Sequence, residues 1–487
     1  MLFFAAWVTS MALIYNKNYA GSRIDHLADV ESVATPELNS QRWFSVMVNG
    51  QKIGYAMNSF DRSTLGYVFK DYSLLRLPMA GVIREVLLDF YAVVDEDFSI
   101  NTFTFGLASG EYSTDIFGSV KNGLVEMKVQ TGGEPTTLTL PADRGLYLAG
   151  TVPLLLQSKG FPQGKFTLPG LDPISLAVQS MEINVGPKEK VEASGKKYEA
   201  YKVDVNAAGV NSIMWITKDG TPVRQEEAAG MSMVLTTKQD ALDIPEANPQ
   251  WDILKSLAVD VDRQIENPRG LTSLEVELEG IKPAGFDLRD DFQQMVSDDP
   301  LILKIGIGSS PGKSEQQADL AIYMKSEPFV QSDDPRIIAQ ARQIVNERDD
   351  DSLKVVALVD WVFANIVKDY AISLPSAVDV LRVRRGDCNE HTALFTALAR
   401  AAGIPAKICM GIVYSEGRFF YHAWPAVYLN GRWLPVDPTF GQHKADATHI
   451  KLLQGAYDAQ ASLMRLVGKL KVRVLSSSSA GGMTAGR

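Results

Sequence analysis

Cysteine is scarce in this sequence: 487 residues contain two, Cys388 and Cys409. That excludes a disulfide framework, and Cys409, inside the apolar run AKICMGIVY, reads as the inert thiol of a buried strand. Histidine is nearly as rare, with five in the chain and none between residues 41 and 241. Excess positive charge is missing too. A formal net charge of −10 leaves no basic field to displace phosphate counterions, so nucleic acid is excluded as a partner. No repeat recurs at a fixed period, which argues against a solenoid or propeller. Long apolar runs are absent except at the start, MLFFAAWVTSMALIY. This run is short for a relaxed membrane span of about 20 residues but sufficient for the apolar part of a signal peptide. Lys17 and Arg23 follow it rather than precede it. Residues 1–20 are therefore expected to be a signal peptide or a single N-terminal membrane anchor, with a buried helix as the competing reading. The expected location is the periplasm or the outer face of the inner membrane.

What is present describes a folded, multidomain chain, with 46% hydrophobic and 22% charged residues. Residues 21–40 read as a linker. Residues 41–245 alternate with period two between turn dipeptides such as Asn49-Gly50, Asn122-Gly123 and Asp219-Gly220, which predicts a β-rich domain with a curved antiparallel sheet. The one helical pattern there lies around Leu146–Leu156. Residues 246–330 predict a small β module or a β lead-in to the final domain. From residue 331 to 470 helices precede strands. Asp334 and Pro335 start one helix, Ser376 caps another that ends at Gly386, and Asp387 with Glu390 has capping-box spacing. Asp349–Asp351 reads as a solvated turn without the spacing of a calcium loop. Residues 471–487, ending in SSSSAGGMTAGR, are expected to be a largely disordered tail.

The chemistry centres on RRGDCNEHTALF. Cys388 there is a buried small hydrophobe, a metal ligand with His391, or a nucleophile whose base lies elsewhere. Its place at a helix start would expose the sulfur to unpaired backbone N–H groups, which lower a thiol pKa, with Asp387 opposing. A nucleophile needs a base and a group that orients the base. His422, in FFYHAWPAVYL, and Asp437, in GRWLPVDPTF, flank the Asn430-Gly431 turn. Antiparallel pairing about that turn puts opposite residues at numbers summing to about 861, so His422 falls about two positions from Asp437. Zinc would want four ligands in tighter pairs. His391 is expected to pack beneath the helix, His443 and His449 to shape the edge of the site or the fold, and Trp424 and Trp433 to pack the sheet.

The blocks RRGDCNEHTALFTALARAAGIPAK and YHAWPAVYLNGRWLPVDPTFGQ resemble the transglutaminase-like core of bacterial proteins, over about residues 330–455. The resemblance implies an α+β, papain-like core in which Cys388 is the nucleophile, His422 the general base and acid, and Asp437 the orienting carboxylate. It implies acyl transfer on an amide of a peptide or protein, without cofactor or metal; the cell envelope as the location rests on the N-terminal segment alone. Hydrolysis is the favoured outcome and protein-glutamine transamidation the alternative. A non-catalytic envelope binding protein, acting through its β-rich half, is the alternative of another class. The backbone N–H of Cys388 is the natural first oxyanion donor; the second is left unnamed, and Trp361 and Asn365, candidates by position, read better as core and surface residues. The oligomeric state is left open.

Overall fold

The structure, a computed structural model, describes residues 41–484 apart from short stretches, of which 247–250, 307–319 and 456–462 are the longest. The expected leader 1–20 and linker 21–40 lie outside the described residues. Among the described residues no helix is long and apolar enough to cross a membrane.

Alternation governs the first half. In the strand Tyr112–Lys121, Tyr112, Thr114 and Ile116 point inward while Ser113, Asp115 and Phe117 point to solvent. Residues 42–236 contribute fourteen strands to one antiparallel sheet. The first eight run outward from Arg42–Val48 to one edge, Thr136–Pro141. The remaining six start at the opposite edge, Gly164–Asp172, and return to Met231–Thr236, which pairs with Arg42–Val48. The helix Val152–Ser158 connects the two halves, its Leu154, Leu155 and Leu156 buried among Phe69, Phe103, Leu168 and Val203. Asn49 and Gly50 both take positive φ, 49° and 80°, as a two-residue hairpin turn of matching twist requires.

Among the described residues the second half holds a six-stranded sheet, a four-stranded sheet with helices on one side, and a two-stranded parallel pair, Val367–Lys368 with Arg385–Gly386. A four-stranded sheet runs in the order Arg432–Pro435, Arg418–Leu429, Ala406–Ser415, Ile450–Gln454. One face carries the helices, with Leu394, Phe395 and Leu398 of Cys388–Ala401 packed on Val359, Val362 and Val427. The other face shares a core with the sheet of residues 260–306, where Leu274, Val276 and Leu303 meet Ile412, Ile450 and Leu452. The lead-in strands are thus continuous with the core beneath the site, not a module with a core of their own.

The tail departs from expectation. Lys471–Ser479 is a strand paired antiparallel with Leu271–Glu279, and Gly482–Thr484 pairs back on it. The low-complexity serines masked the alternation of KVRVL, which buries Val472 and Val474 and exposes Arg473. The helix Ala377–Val383 also ends before Gly386, because Arg384 adopts φ 60° and stops it.

The fourteen-stranded sheet meets the helical part close to Cys388. Arg84 pairs with Asp369, which also lies 3.3 Å from Arg385. The Tyr112 hydroxyl donates to the Arg385 carbonyl. Phe329 and Leu374 join the first-half core.

Candidate active site

The helix Cys388–Ala401 begins with a closed capping box. Asp387 Oδ1 accepts the Asn389 N–H at 2.8 Å, and Glu390 Oε2 accepts the Asp387 N–H at 2.8 Å. Cys388 is the first helical residue, half-buried, and its N–H belongs to the first-turn donors that have no acceptor within a helix. One turn on, Thr392 Oγ1 donates to the Ala423 carbonyl at 3.0 Å, docking the helix on the strand that carries His422. The Ala423 N–H faces the Cys388 sulfur. The helix start nevertheless fails to acidify the thiol. Burial pushes the Cys388 pKa well above its ordinary value, the Asp387 carboxylate pushes it further, and the Ala423 amide only partly opposes them.

The Asn430-Gly431 hairpin has the register expected from its turn, with Ala426 opposite Pro435 and Tyr428 opposite Trp433. The ladder stops at Pro435 because the chain turns away. Asp437 then forms a two-way backbone pair with Gln442, with both N···O distances 2.8 Å. This places the fully buried Asp437 Oδ2 at 2.8 Å from His422 Nε2. Oδ1 accepts the N–H groups of Thr439 at 2.7 Å and Phe440 at 3.2 Å. Burial alone would raise the Asp437 pKa, but His422 and then His449 hold it far below the usual carboxylate range. The His422 ring packs nearly parallel to Trp424 at 5.9 Å and to Phe440 at 5.3 Å, which fixes its plane. Nε2 is engaged by Asp437, and Nδ1 is the ring nitrogen outside that pair.

One residue expected at the edge of the site lies at its centre. His449, fully buried, places Nε2 at 2.9 Å from the same Asp437 Oδ2. Its distance in sequence from His422 gave no signal; the pairing of Ile450–Gln454 with Ala406–Ser415 brings it in. His391 is buried as expected, with Nδ1 at 2.7 Å from the Asp387 carbonyl while Nε2 finds no partner. His443 sits at the surface, 2.6 Å from Asp360. Asn365 Nδ2 donates to the Trp361 carbonyl at 2.8 Å, and the Arg384 guanidinium lies 4.5 Å over the Trp361 ring, so both oxyanion candidates are engaged elsewhere. His422, Asp437 and His449 bring three metal-ligating atoms within 4.8 Å of one another. The spacings of 2.8 and 2.9 Å are hydrogen bonds to one oxygen, and His449 Nδ1 faces the Asp446 carbonyl at 3.1 Å, so that ring offers donors in place of a lone pair.

Residues 338–438 match the family described as the transglutaminase-like superfamily. The mouse kyphoscoliosis peptidase is 30% identical over 122 residues, and its human counterpart 32% over 120, each match covering about a fifth of this chain (22% and 21%). The chain spans 18% of the length of either relative. A crystal structure of a cysteine protease, so assigned provisionally, from Cytophaga hutchinsonii is similar with 16% identity and a TM-score of 0.30, over 45% of this chain and 88% of that one.

Proposed function

We propose, from a C-terminal part that belongs to the transglutaminase-like superfamily, that this chain is a cysteine hydrolase acting on an amide of a peptide or protein outside the cytoplasm. The observation that carries the reading is the buried His422–Asp437 pair, 2.8 Å apart, on a strand whose next residue, Ala423, presents its N–H to the Cys388 sulfur. In this reading His422 Nδ1 takes the thiol proton as sulfur attacks the amide carbonyl. The carbonyl π electrons move to oxygen, where the Cys388 N–H receives them. Collapse breaks the C–N bond, His422 returns its proton to the departing amine, and a thioester remains. Water, deprotonated by His422, then attacks the thioester, and the sulfur leaves and regains its proton. Asp437 holds His422 in the tautomer with Nε2–H and stabilises the imidazolium during each transfer.

The location rests on the N-terminal apolar segment. The test compares wild type with Cys388→Ala on peptide and protein amides, reading released carboxylate and incorporated amine separately. Wild-type hydrolysis lost by at least about a thousandfold in the variant is the expected result. Amine incorporation exceeding hydrolysis would indicate a transamidase. Neither product depending on Cys388 would sink the enzymatic reading in favour of a binding protein.

A further inference from the structure

Asp437 is shared. Its Oδ2 lies 2.8 Å from His422 Nε2 and 2.9 Å from His449 Nε2, and a carboxylate oxygen can only accept. His449 Nε2 therefore carries a proton. Its other nitrogen faces a second acceptor, the Asp446 carbonyl at 3.1 Å, with the Asp446 carboxylate 3.6 Å away, so Nδ1 carries a proton as well. Asp446 is held in turn by Arg269 at 2.6 Å, by Gln442 Nε2 at 2.8 Å and by the Thr448 N–H at 2.8 Å. The result is a chain of hydrogen bonds and ion pairs from His422 through Asp437, His449 and Asp446 to Arg269, buried except at its Arg269 end.

We propose that His449 is a positioning residue for the catalytic pair, an imidazolium that holds the same Asp437 oxygen as His422 and offsets part of that carboxylate's charge. This rests on the reading of Cys388 and His422 as the catalytic pair. Two physical consequences make this sharing useful. A lone buried carboxylate would bind the His422 imidazolium tightly and slow return of the proton to the leaving amine. A carboxylate already balanced by His449 holds the His422 ring in place yet attracts its proton less. The electrostatics agree: burial would lower the His449 pKa, but the hydrogen bonds to Asp437 and Asp446 outweigh it and push the ring up to about 9. Asp446, His449 and Arg269 all lie outside residues 338–438, so this part of the site comes from flanking segments.

Other titratable groups face the pair. Cys388 and His391 approach from the capped helix, while Lys368 lies 5.9 Å over Phe440, whose ring stacks on His422. Lys451, paired with Asp287 and Asp290 at 2.9 Å each, lies across a small cavity from His449. These remain unchanged when His449 alone is replaced.

The test uses the full chain labelled with ¹⁵N-histidine. One doubly protonated ring is expected to persist at pH 7.5 and to disappear in His449→Gln, which keeps an N–H donor towards Asp437 without the charge. A neutral His449 ring in wild type would overturn the proposal, and this readout needs neither activity nor a variant that folds. In kcat/KM against pH, His449→Gln is expected to move the acidic limb up by about one unit. A folded variant with an unmoved limb would reduce His449 to packing and also overturn the proposal. Loss of all Cys388-dependent activity in wild type would instead count against the enzymatic reading, leaving the ring's protonation to be judged on its own.

Discussion

At Cys388 two effects of opposite sign meet, and their balance sets how the thiol is activated. The first helical turn favours a thiolate, but burial and the adjacent Asp387 disfavour it more strongly. In the proposed mechanism activation then comes from proton transfer to His422 and not from a standing thiolate. Asp387→Asn separates the contributions, because asparagine caps a helix about as well as aspartate while removing the charge. Alkylation of Cys388 by iodoacetamide at pH 8 is expected to accelerate by roughly three- to tenfold, with thermal stability almost unchanged. An unchanged rate would show that Asp387 does not suppress the thiolate. His449 makes a second prediction at this scale. Its pKa is raised in the fold to about 9, so its contribution is complete below the free value of about 6.5 and is lost as pH rises towards 9. Urea unfolding at pH 9 should therefore give less stability than at pH 6.5, by on the order of 2–3 kcal/mol from this ring. Glu390, raised by burial and by Asp387, pushes in the same direction, so the difference between wild type and His449→Gln isolates the histidine. The helix start at Cys388 and the approach of His422 to Asp437 were legible because a capping box and turn spacing are local signals. His449 was not, since only the pairing of Ile450–Gln454 with Ala406–Ser415, absent from local spacing, brings it to Asp437.

At the scale of elements, capping chemistry read from sequence was mostly sound. Asp334 caps Pro335–Val345 through the Arg336 N–H at 2.8 Å. Asp350, taken for part of a solvated turn, caps Asp351–Asn365 through the N–H groups of Ser352 and Leu353. Ser376 stands at an N-cap but its hydroxyl accepts from Gln331 Nε2 at 3.0 Å instead of from its own helix, a tertiary preference no local pattern reveals. The strand Lys471–Ser479 was lost to composition: serine-rich sequence suggests disorder, yet pairing with Leu271–Glu279 depends on the backbone and two buried valines. Val474→Asp is expected to destabilise the catalytic part by at least about 3 kcal/mol in urea unfolding, as an unpaired charge in a core must. Arg473→Ala, next to it and exposed, should cost less than about 1 kcal/mol. Equal effects of the two would return this segment to the status of a tail.

At the scale of the whole molecule, the β-rich half contributes more than a neighbour. Arg84 and Tyr112 reach across to Asp369 and to the Arg385 carbonyl, and Asp369 is fixed in its own right because its N–H donates to the Gly386 carbonyl at 3.0 Å. Gly386 is two residues before Cys388. Arg84→Ala is expected to lower Cys388-dependent activity several-fold while changing urea stability by roughly 1 kcal/mol, measured side by side. Full activity in a folded variant would show that the two halves are mechanically independent. The strand order of the first half could not be read from sequence. Alternation identifies strands one by one, but the return of Met231–Thr236 to Arg42–Val48 is a closure between distant segments.

The parallel pairing of Asp260–Val261 with Lys471–Val472 ties the segment that enters from the β-rich half to a strand late in the chain. Because the two strands run the same way, the chain comes in at one end of the pair while Lys471–Ser479 runs on away from it. Tension drawn between those two ends would load the hydrogen bonds of the sheet in shear, all at once, instead of opening them one by one like a zip.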